Sequence, residues 1–174
     1  EEEISRINEI VDQFLRFARP APPLLEKTEI VSIFEETLQL LRPQIEKARI
    51  LVRKEFEALP LMTVDREQMK QVILNLLMNA IQAMPKGGEL TISGRFSKDG
   101  YWVKLLIQDS GIGIPLEDLE KLFDPFFSTK EGGIGLGLSI AHRIIDQHHG
   151  KIEVESTSGE GTLFTVWLPI HNER

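Results

Sequence analysis

Residues 65–84 read DREQMKQVILNLLMNAIQAM. Within this stretch Met69, Val72, Ile73, Leu76, Leu77, Ala80 and Ile81 recur at three- and four-residue steps, which places them on one broad side of a helix. Asp65 stands where an N-cap is needed, and Pro85-Lys86-Gly87-Gly88 stops the pattern. Asn75 and Asn79 interrupt the apolar composition and, four residues apart, share a face. An amide oxygen there can coordinate a hard cation and an amide N–H can bond a phosphate, although the pair also suits a structural or exposed role. Gln71 and Gln82 extend the polar edge without deciding between the two.

Working outward, residues 90–97 and 101–108 are apolar and β-branched, and Lys98-Asp99-Gly100 between them reads as a hairpin turn. Upstream lie a short strand candidate at 24–28, a helical pattern over 31–47 marred by Pro43, and a strand over 50–57. Downstream, residues 109–137 shift to Gly, Pro, Phe and polar types, which predicts a long functional loop interrupted by a short helix near 116–122. A last helix over 137–148 leads to a strand at 151–155, a turn at 157–161 and a strand at 162–168. The expected fold is an α/β two-layer sandwich with a mixed, mostly antiparallel sheet. No internal repeat or low-complexity tract interrupts it.

Ahead of this domain, Ile4, Ile7, Val11, Phe14 and Ala18, widened by Ile10 and Phe17, mark one face of an amphipathic helix. Pro20, Pro22 and Pro23 end it, so a boundary is expected near 19–23, with a helical segment at 1–19, a proline-rich linker at 20–23 and the main domain at 24–170. A helix this short cannot bury its stripe alone. It is expected to pack on another helix, from a segment outside this chain or from a second copy, with docking on the main domain as the alternative. The chain opens without a methionine and inside the helical pattern, which reads as a piece of a longer protein.

Composition narrows the function. Twenty basic against 27 acidic residues give a formal charge of −7, which argues against a surface built to grip nucleic acid or anionic lipid. The absence of cysteine rules out disulfides, a thiolate nucleophile and Cys-ligated metals. No run approaches the roughly 20 apolar residues that span a bilayer, and Glu1-Glu2-Glu3 is the opposite of a basic signal-peptide start, so no membrane contact is expected from this segment.

Two further clusters suggest chemistry. Asp109-Ser110-Gly111-Ile112-Gly113-Ile114 follows an apolar strand directly; Asp109 could accept from an exocyclic amine such as that of adenine, and Gly111 and Gly113 would let a ligand approach closely. A capped loop without a ligand fits the same residues. Gly132-Gly133-Ile134-Gly135-Leu136-Gly137-Leu138-Ser139 runs into a helix, where backbone amides and the helix N-terminus favour a polyphosphate; a flexible lid without phosphate contact is the alternative. The loop follows no strand of a βαβ unit and lacks a GKS or GKT ending, so it matches neither the dinucleotide fingerprint nor the Walker loop. Between the clusters, Phe123-Asp124-Pro125-Phe126-Phe127 reads as a hydrophobic latch, and Lys130 either as a mobile cation near phosphate or as solvated surface.

In order and spacing these clusters resemble the catalytic nucleotide-binding domain of bacterial sensor histidine kinases, in the superfamily shared with gyrase, Hsp90 and MutL. QVILNLLMNAIQAM resembles the family's N box, DSGIGI its first glycine box, FDPFFSTK its F box, GGIGLGLSIAHRIIDQHHGKIEVES its second glycine box with the following helix and strand, and GEGTLFTVWLP its terminal hairpin. EEISRINEIVDQFLRFARP resembles the second helix of the dimerisation and phosphotransfer domain. The proline-bounded helix and the QAM ending look most like the nitrogen-regulatory and sporulation kinase branch.

The resemblance implies ATP and Mg²⁺ as ligands. Asn79 would coordinate Mg²⁺, Asn75 would support the phosphate and metal region, Asp109 would recognise the adenine amine, and Lys130 would approach phosphate; Asn75, Asn79 and Lys130 form the implied catalytic set. Gly111, Gly113 and Ile114 would shape the base pocket, Phe123 would join the binding set, and Gly133, Gly135, Leu136, Gly137 and Leu138 would lie in the lid and phosphate region. Thr162 resembles the strand threonine on the adenine side. The segment between Phe127 and Gly133 is short for the family. The implied activity is transfer of the γ-phosphoryl group to a histidine on a helix outside this chain, for relay to a response regulator, within a homodimer formed through the helical domain. The implied location is a cytoplasmic domain, with the membrane attachment of the parent left open. None of His142, His148, His149 or His171 lies in a phosphoacceptor motif, and the first three read as surface or helix-end residues. The same motifs admit three alternatives. The first is an ATP hydrolase of the gyrase or Hsp90 type, disfavoured because Asn75 stands where such enzymes carry a glutamate base. The second is a non-enzymatic partner-binding module, and the third an anti-sigma-factor serine kinase.

Overall fold

The computed structural model describes residues 22–129 and 133–170. The opening helix expected over 1–19 lies outside the described residues. In chain order the domain runs β1 (Glu26–Thr28), α1 (Ile30–Ala48), β2 (Ile50–Phe56), β3 (Met62–Val64), α2 (Arg66–Ala83), β4 (Gly88–Phe96), β5 (Trp102–Asp109), α3 (Leu116–Leu119), α4 (Gly137–Gln147), β6 (Lys151–Thr157) and β7 (Gly161–Pro169).

Five strands form one sheet in the order β2-β4-β5-β7-β6, parallel between β2 and β4 and antiparallel elsewhere. Helices α1, α2 and α4 form the second layer, with α2 in the middle. This is the expected two-layer sandwich with a mixed, mostly antiparallel sheet. All seven apolar positions of the α2 stripe are buried. Burying a Val, Leu or Ile side chain is worth ~1.5–3 kcal/mol, whereas helix propensity differs by less than ~1 kcal/mol per residue, so packing against the sheet fixes this helix.

Strand register converts the two-residue alternation into rows across the sheet. Ile92, Ile107, Phe164 and Val154 are in register, as are Leu105, Val166 and Ile152, and these side chains make the core beneath α2 and α4. On the other face, Trp167 lies between Lys104 and Lys151, whose ammonium groups sit 3.8 and 4.2 Å from its ring centre, and its indole N–H donates to Glu153 at 2.7 Å.

Helix α1 covers the expected 31–47 pattern and runs through Pro43, which with Gln39 lies on its exposed side, where water can serve the carbonyl that loses its partner. Two differences from the sequence reading have physical causes. Strand β1 covers only the last three residues of the 24–28 candidate, and it pairs with β3, a three-residue strand the sequence reading passed over. The short helix near 116–122 is a single turn, Leu116–Leu119, followed by further turns.

Candidate functional site

The buried rows of the sheet end in a polar one. Asp109, the last residue of β5, is in register with Thr162 of β7, and Thr162 with Ser156 of β6. Asp109 is 5% exposed and Thr162 4%, so two groups that need hydrogen-bond partners sit where the pattern otherwise places aliphatic side chains. One Asp109 carboxylate oxygen accepts the Gly111 N–H at 2.9 Å, which turns the chain sharply out of β5.

The segment after Asp109 is clamped from two sides. Its Ile112 N–H donates to the Ala83 carbonyl at the end of α2 (3.0 Å), and its Ile112 carbonyl accepts the Gly159 N–H of the β6–β7 turn (2.7 Å). Gly113 has φ +69°, and a Cβ there would lie 2.1 Å from the Thr157 carbonyl oxygen. Gly161 has φ +112°, and its Cβ would lie 2.0 Å from the Asp109 carbonyl oxygen. No side chain fits either position, so the loop and the hairpin meet backbone to backbone. The Ile114 N–H donates to Ser156 Oγ at 2.8 Å and completes the join.

Asn75 and Asn79 are both half-buried on α2. The Asn75 amide donates to the Gly137 carbonyl in the first turn of α4 at 3.0 Å, so this side chain ties α2 to the start of the glycine-rich helix. One turn further, about 6 Å along the axis, stands Asn79, and a further turn brings the chain to Ala83 beneath the Asp109 loop. Helix α4 opens at Leu136 without a side-chain cap, while Ser139 Oγ donates back to the Leu136 carbonyl at 2.9 Å. Leu136 is buried, and Gly137 and Leu138 are half-buried.

The expected hydrophobic latch takes another form. Phe126 is exposed with φ +67°, and its N–H donates to the Gly135 carbonyl at 2.9 Å, so the segment is held to the glycine loop through backbone. Phe123 packs on His142 of α4 with ring centres 5.1 Å apart. Gly133 is exposed beside Ile134, and Lys130 lies outside the described residues. Thus Asp109, Gly111, Gly113, Ile114 and Thr162 form one compact cluster, Asn75 and Gly137 form a second joined to it by the Asn79 turn of α2, and Phe123 stands to the side against α4.

Two residues escaped the sequence reading. Ser156 joins the loop to the polar row; its only signal was a serine in register with Thr162 in the second hairpin. His148, read as surface or helix end, caps α4 but is 1% exposed. Among the described residues no cluster of His, Cys, Asp and Glu could hold a metal ion alone.

Residues 64–172, well over half of the chain, match the model of the histidine kinase-, DNA gyrase B- and HSP90-like ATPases. The chain belongs to that family. The chain is 36% identical to the sensor histidine kinase ZraS of Escherichia coli strain K12 over 173 residues, which are 99% of the chain and 37% of the relative. It is 36% identical to sporulation kinase E of Bacillus subtilis strain 168 over 169 residues, 97% of the chain and 23% of that relative. Among solved structures, histidine kinase ThkA in complex with response regulator protein TrrA superposes with a TM-score of 0.81 at 32% identity, covering 98% of this chain and 49% of that one. The chain therefore spans about a quarter to a half of these relatives' lengths and is homologous to histidine kinases. No helix among its described residues is long and apolar enough to cross a membrane.

Proposed function

We propose that this chain is the ATP-binding catalytic domain of a two-component sensor histidine kinase. The observation that carries the reading is the polar end of the buried sheet face, Asp109 and Thr162, set at one end of an α2 face whose other end reaches the start of α4. Asp109 is the acceptor for an adenine amine, the amide face of Asn75 and Asn79 lies along the phosphates, and the uncapped amides at the start of α4 suit their negative charge. Lys130 is assigned as a further cation toward phosphate, and Phe123, beside α4, as a wall of the lid.

The donor set fits Mg²⁺ bound with the nucleotide. A single amide oxygen, from Asn79, is a weak cage by itself, and Mg²⁺ ordinarily completes its shell with phosphate oxygens and water. Bound there, the ion would neutralise charge on the phosphates. The chain's own contribution is placement: Asp109 and Thr162 hold the base, Asn75 keeps α4 against α2, and the pocket keeps the γ-phosphoryl group oriented. A histidine ring nitrogen from a helix beyond this domain then attacks the γ-phosphorus as the bond to ADP breaks, and the ring loses its proton.

The homodimer and the relay to a response regulator aspartate follow from the same reading, supported by the ThkA–TrrA complex among the similar structures. The segment 1–19 is assigned to the dimerisation and phosphotransfer domain, 20–23 to the linker and 24–170 to the catalytic domain, on the cytoplasmic side. The nitrogen-regulatory and sporulation branch is favoured by the likeness to sporulation kinase E. Asn75 speaks against a hydrolase, since an amide cannot act as a general base.

Calorimetric titration with a non-hydrolysable ATP analogue, with and without Mg²⁺, tests the reading. We expect saturable binding, weakened at least tenfold by Asp109→Asn, with its Mg²⁺ dependence lost in Asn79→Ala. A folded chain that binds no nucleotide would overturn it.

A further inference from the structure

Ser156 Oγ has three polar neighbours and a single proton. It lies 2.8 Å from the Gly161 carbonyl oxygen, 2.8 Å from the Ile114 nitrogen and 2.9 Å from Thr162 Oγ1. The Gly161 carbonyl can only accept and the Ile114 N–H can only donate. The serine proton therefore goes to Gly161, since without it two oxygens would face each other at 2.8 Å with nothing between them. One serine lone pair takes the Ile114 N–H. The remaining contact, to Thr162, requires Thr162 to be the donor.

We propose that Ser156 is a positioning residue that commits the Thr162 hydroxyl proton to itself, so that Thr162 presents only lone pairs to a bound base. This deepens the nucleotide-binding reading and rests on it. With the Asp109 carboxylate in the next strand, the rim then offers two adjacent acceptors and no side-chain hydroxyl donor. A 6-amino purine supplies N–H groups to such a rim. A 6-keto purine brings an oxygen that meets acceptors only, and burial makes that mismatch costly. Ser156 thus acts on base selection through Thr162, at a distance from the base set by the register of β6 and β7.

The test compares binding of ATP and inosine triphosphate to the 174-residue chain by calorimetry with Mg²⁺. In Ser156→Ala the Thr162 hydroxyl is free to turn and donate. We expect the preference for ATP over inosine triphosphate to narrow roughly three- to tenfold, the worth of one hydrogen bond. Ser156→Thr keeps the hydroxyl on a strand-favouring residue and is expected to retain the wild-type preference. In a Thr162→Ala background, Ser156→Ala is expected to leave the preference unchanged, because the group it acts through is gone. The proposal is overturned if Ser156→Ala weakens both nucleotides equally, as a purely structural role would, or if its effect on preference persists without Thr162. A wild-type chain that binds neither nucleotide would instead overturn the nucleotide-binding reading.

Discussion

His148 and Asp65 stand 83 residues apart in the chain, and the His148 Nε2 accepts the Asp65 backbone N–H at 2.9 Å. The other ring nitrogen, Nδ1, lies 2.7 Å from the Ile144 carbonyl oxygen. A carbonyl cannot donate, so the proton sits on Nδ1 and the ring is neutral. Asp65 is equally committed: one oxygen accepts the Gln68 N–H at 2.9 Å and caps α2, and the other accepts the Leu24 N–H at 2.8 Å. One knot therefore joins the chain just after Pro22-Pro23, the start of α2 and the end of α4.

The knot makes stability depend on pH. Burial, the largest cause, holds the His148 proton affinity below its ordinary value of 6.5; His149 adds to this, while the Ile144 carbonyl and the Asp65 carboxylate oppose it. The unfolded ring takes up its proton near 6.5 and the folded ring only at lower pH. The stabilisation is thus fully present above pH 6.5 and declines as pH falls from there toward the folded value. Urea denaturation at pH 7.5 and 5.5 is expected to show the loss, and His148→Gln, which keeps an acceptor but does not titrate, is expected to flatten it. Stability that rises on acidification over this interval would contradict the assignment.

Removing the carboxylate has a cost larger than that of an ordinary cap. Asp65→Ala loses the α2 cap, worth about 0.5–2 kcal/mol, and the bond from Leu24, which adds about 0.5–1 kcal/mol because exposed Leu24 can turn its N–H to water, for a combined loss of about 1–3 kcal/mol. Asp65→Asn keeps one acceptor oxygen and should lose about half as much. An Asp65→Asn chain as stable as the wild type in denaturant titrations would show that the Leu24 contact contributes nothing, because asparagine caps a helix as well as aspartate does.

Much of this architecture was legible because periodicity and caps act locally. The α2 stripe, its Asp65 cap and the Lys98-Asp99-Gly100 turn need only neighbouring residues to be read, and each stands where the pattern puts it. Strand β3 was missed since three residues carry too little alternation, and its partner β1 lies 34 residues away across α1. His148 and Ser156 were missed for a related reason. Their roles depend on which backbone groups the fold brings to them, Asp65 in one case and Ile114 and Gly161 in the other, and no spacing along the chain announces such contacts. Asn75 and Asn79 were legible as a face of α2, yet only the structure gives Asn75 its partner in α4.

The clamp on the Asp109 loop predicts a graded series of glycine variants. At Gly100, φ is +74° but nothing lies within 4 Å of an added Cβ, so Gly100→Ala should cost only the ~1–2 kcal/mol of left-handed strain. Gly161→Ala adds a methyl 2.0 Å from the Asp109 carbonyl oxygen, where backbone must move, and should cost at least twice as much and weaken nucleotide binding. Thermal denaturation of both variants beside an ATP-analogue titration checks the order. A Gly161→Ala chain as stable as Gly100→Ala would mean that the hairpin and loop separate easily.

The contact between Asn75 and Gly137 gives the last prediction. Asn75→Asp preserves the shape of the side chain but replaces the donating N–H with a carboxylate oxygen about 3 Å from a carbonyl oxygen, turning an attraction between α2 and α4 into a repulsion. It also brings negative charge to the face assigned to the phosphates. Stability should fall by about 1–3 kcal/mol and affinity for the ATP analogue by more than tenfold, with part of the lost affinity recovered at high salt as the repulsion is screened. Asn75→Ala removes the same hydrogen bond without adding the repulsion or the charge, so it should lose less stability and less affinity. If Asn75→Ala and Asn75→Asp weaken nucleotide binding equally, the Asn75 side chain serves only to hold α4 in place and the carboxylate added in Asn75→Asp does not sense the phosphates.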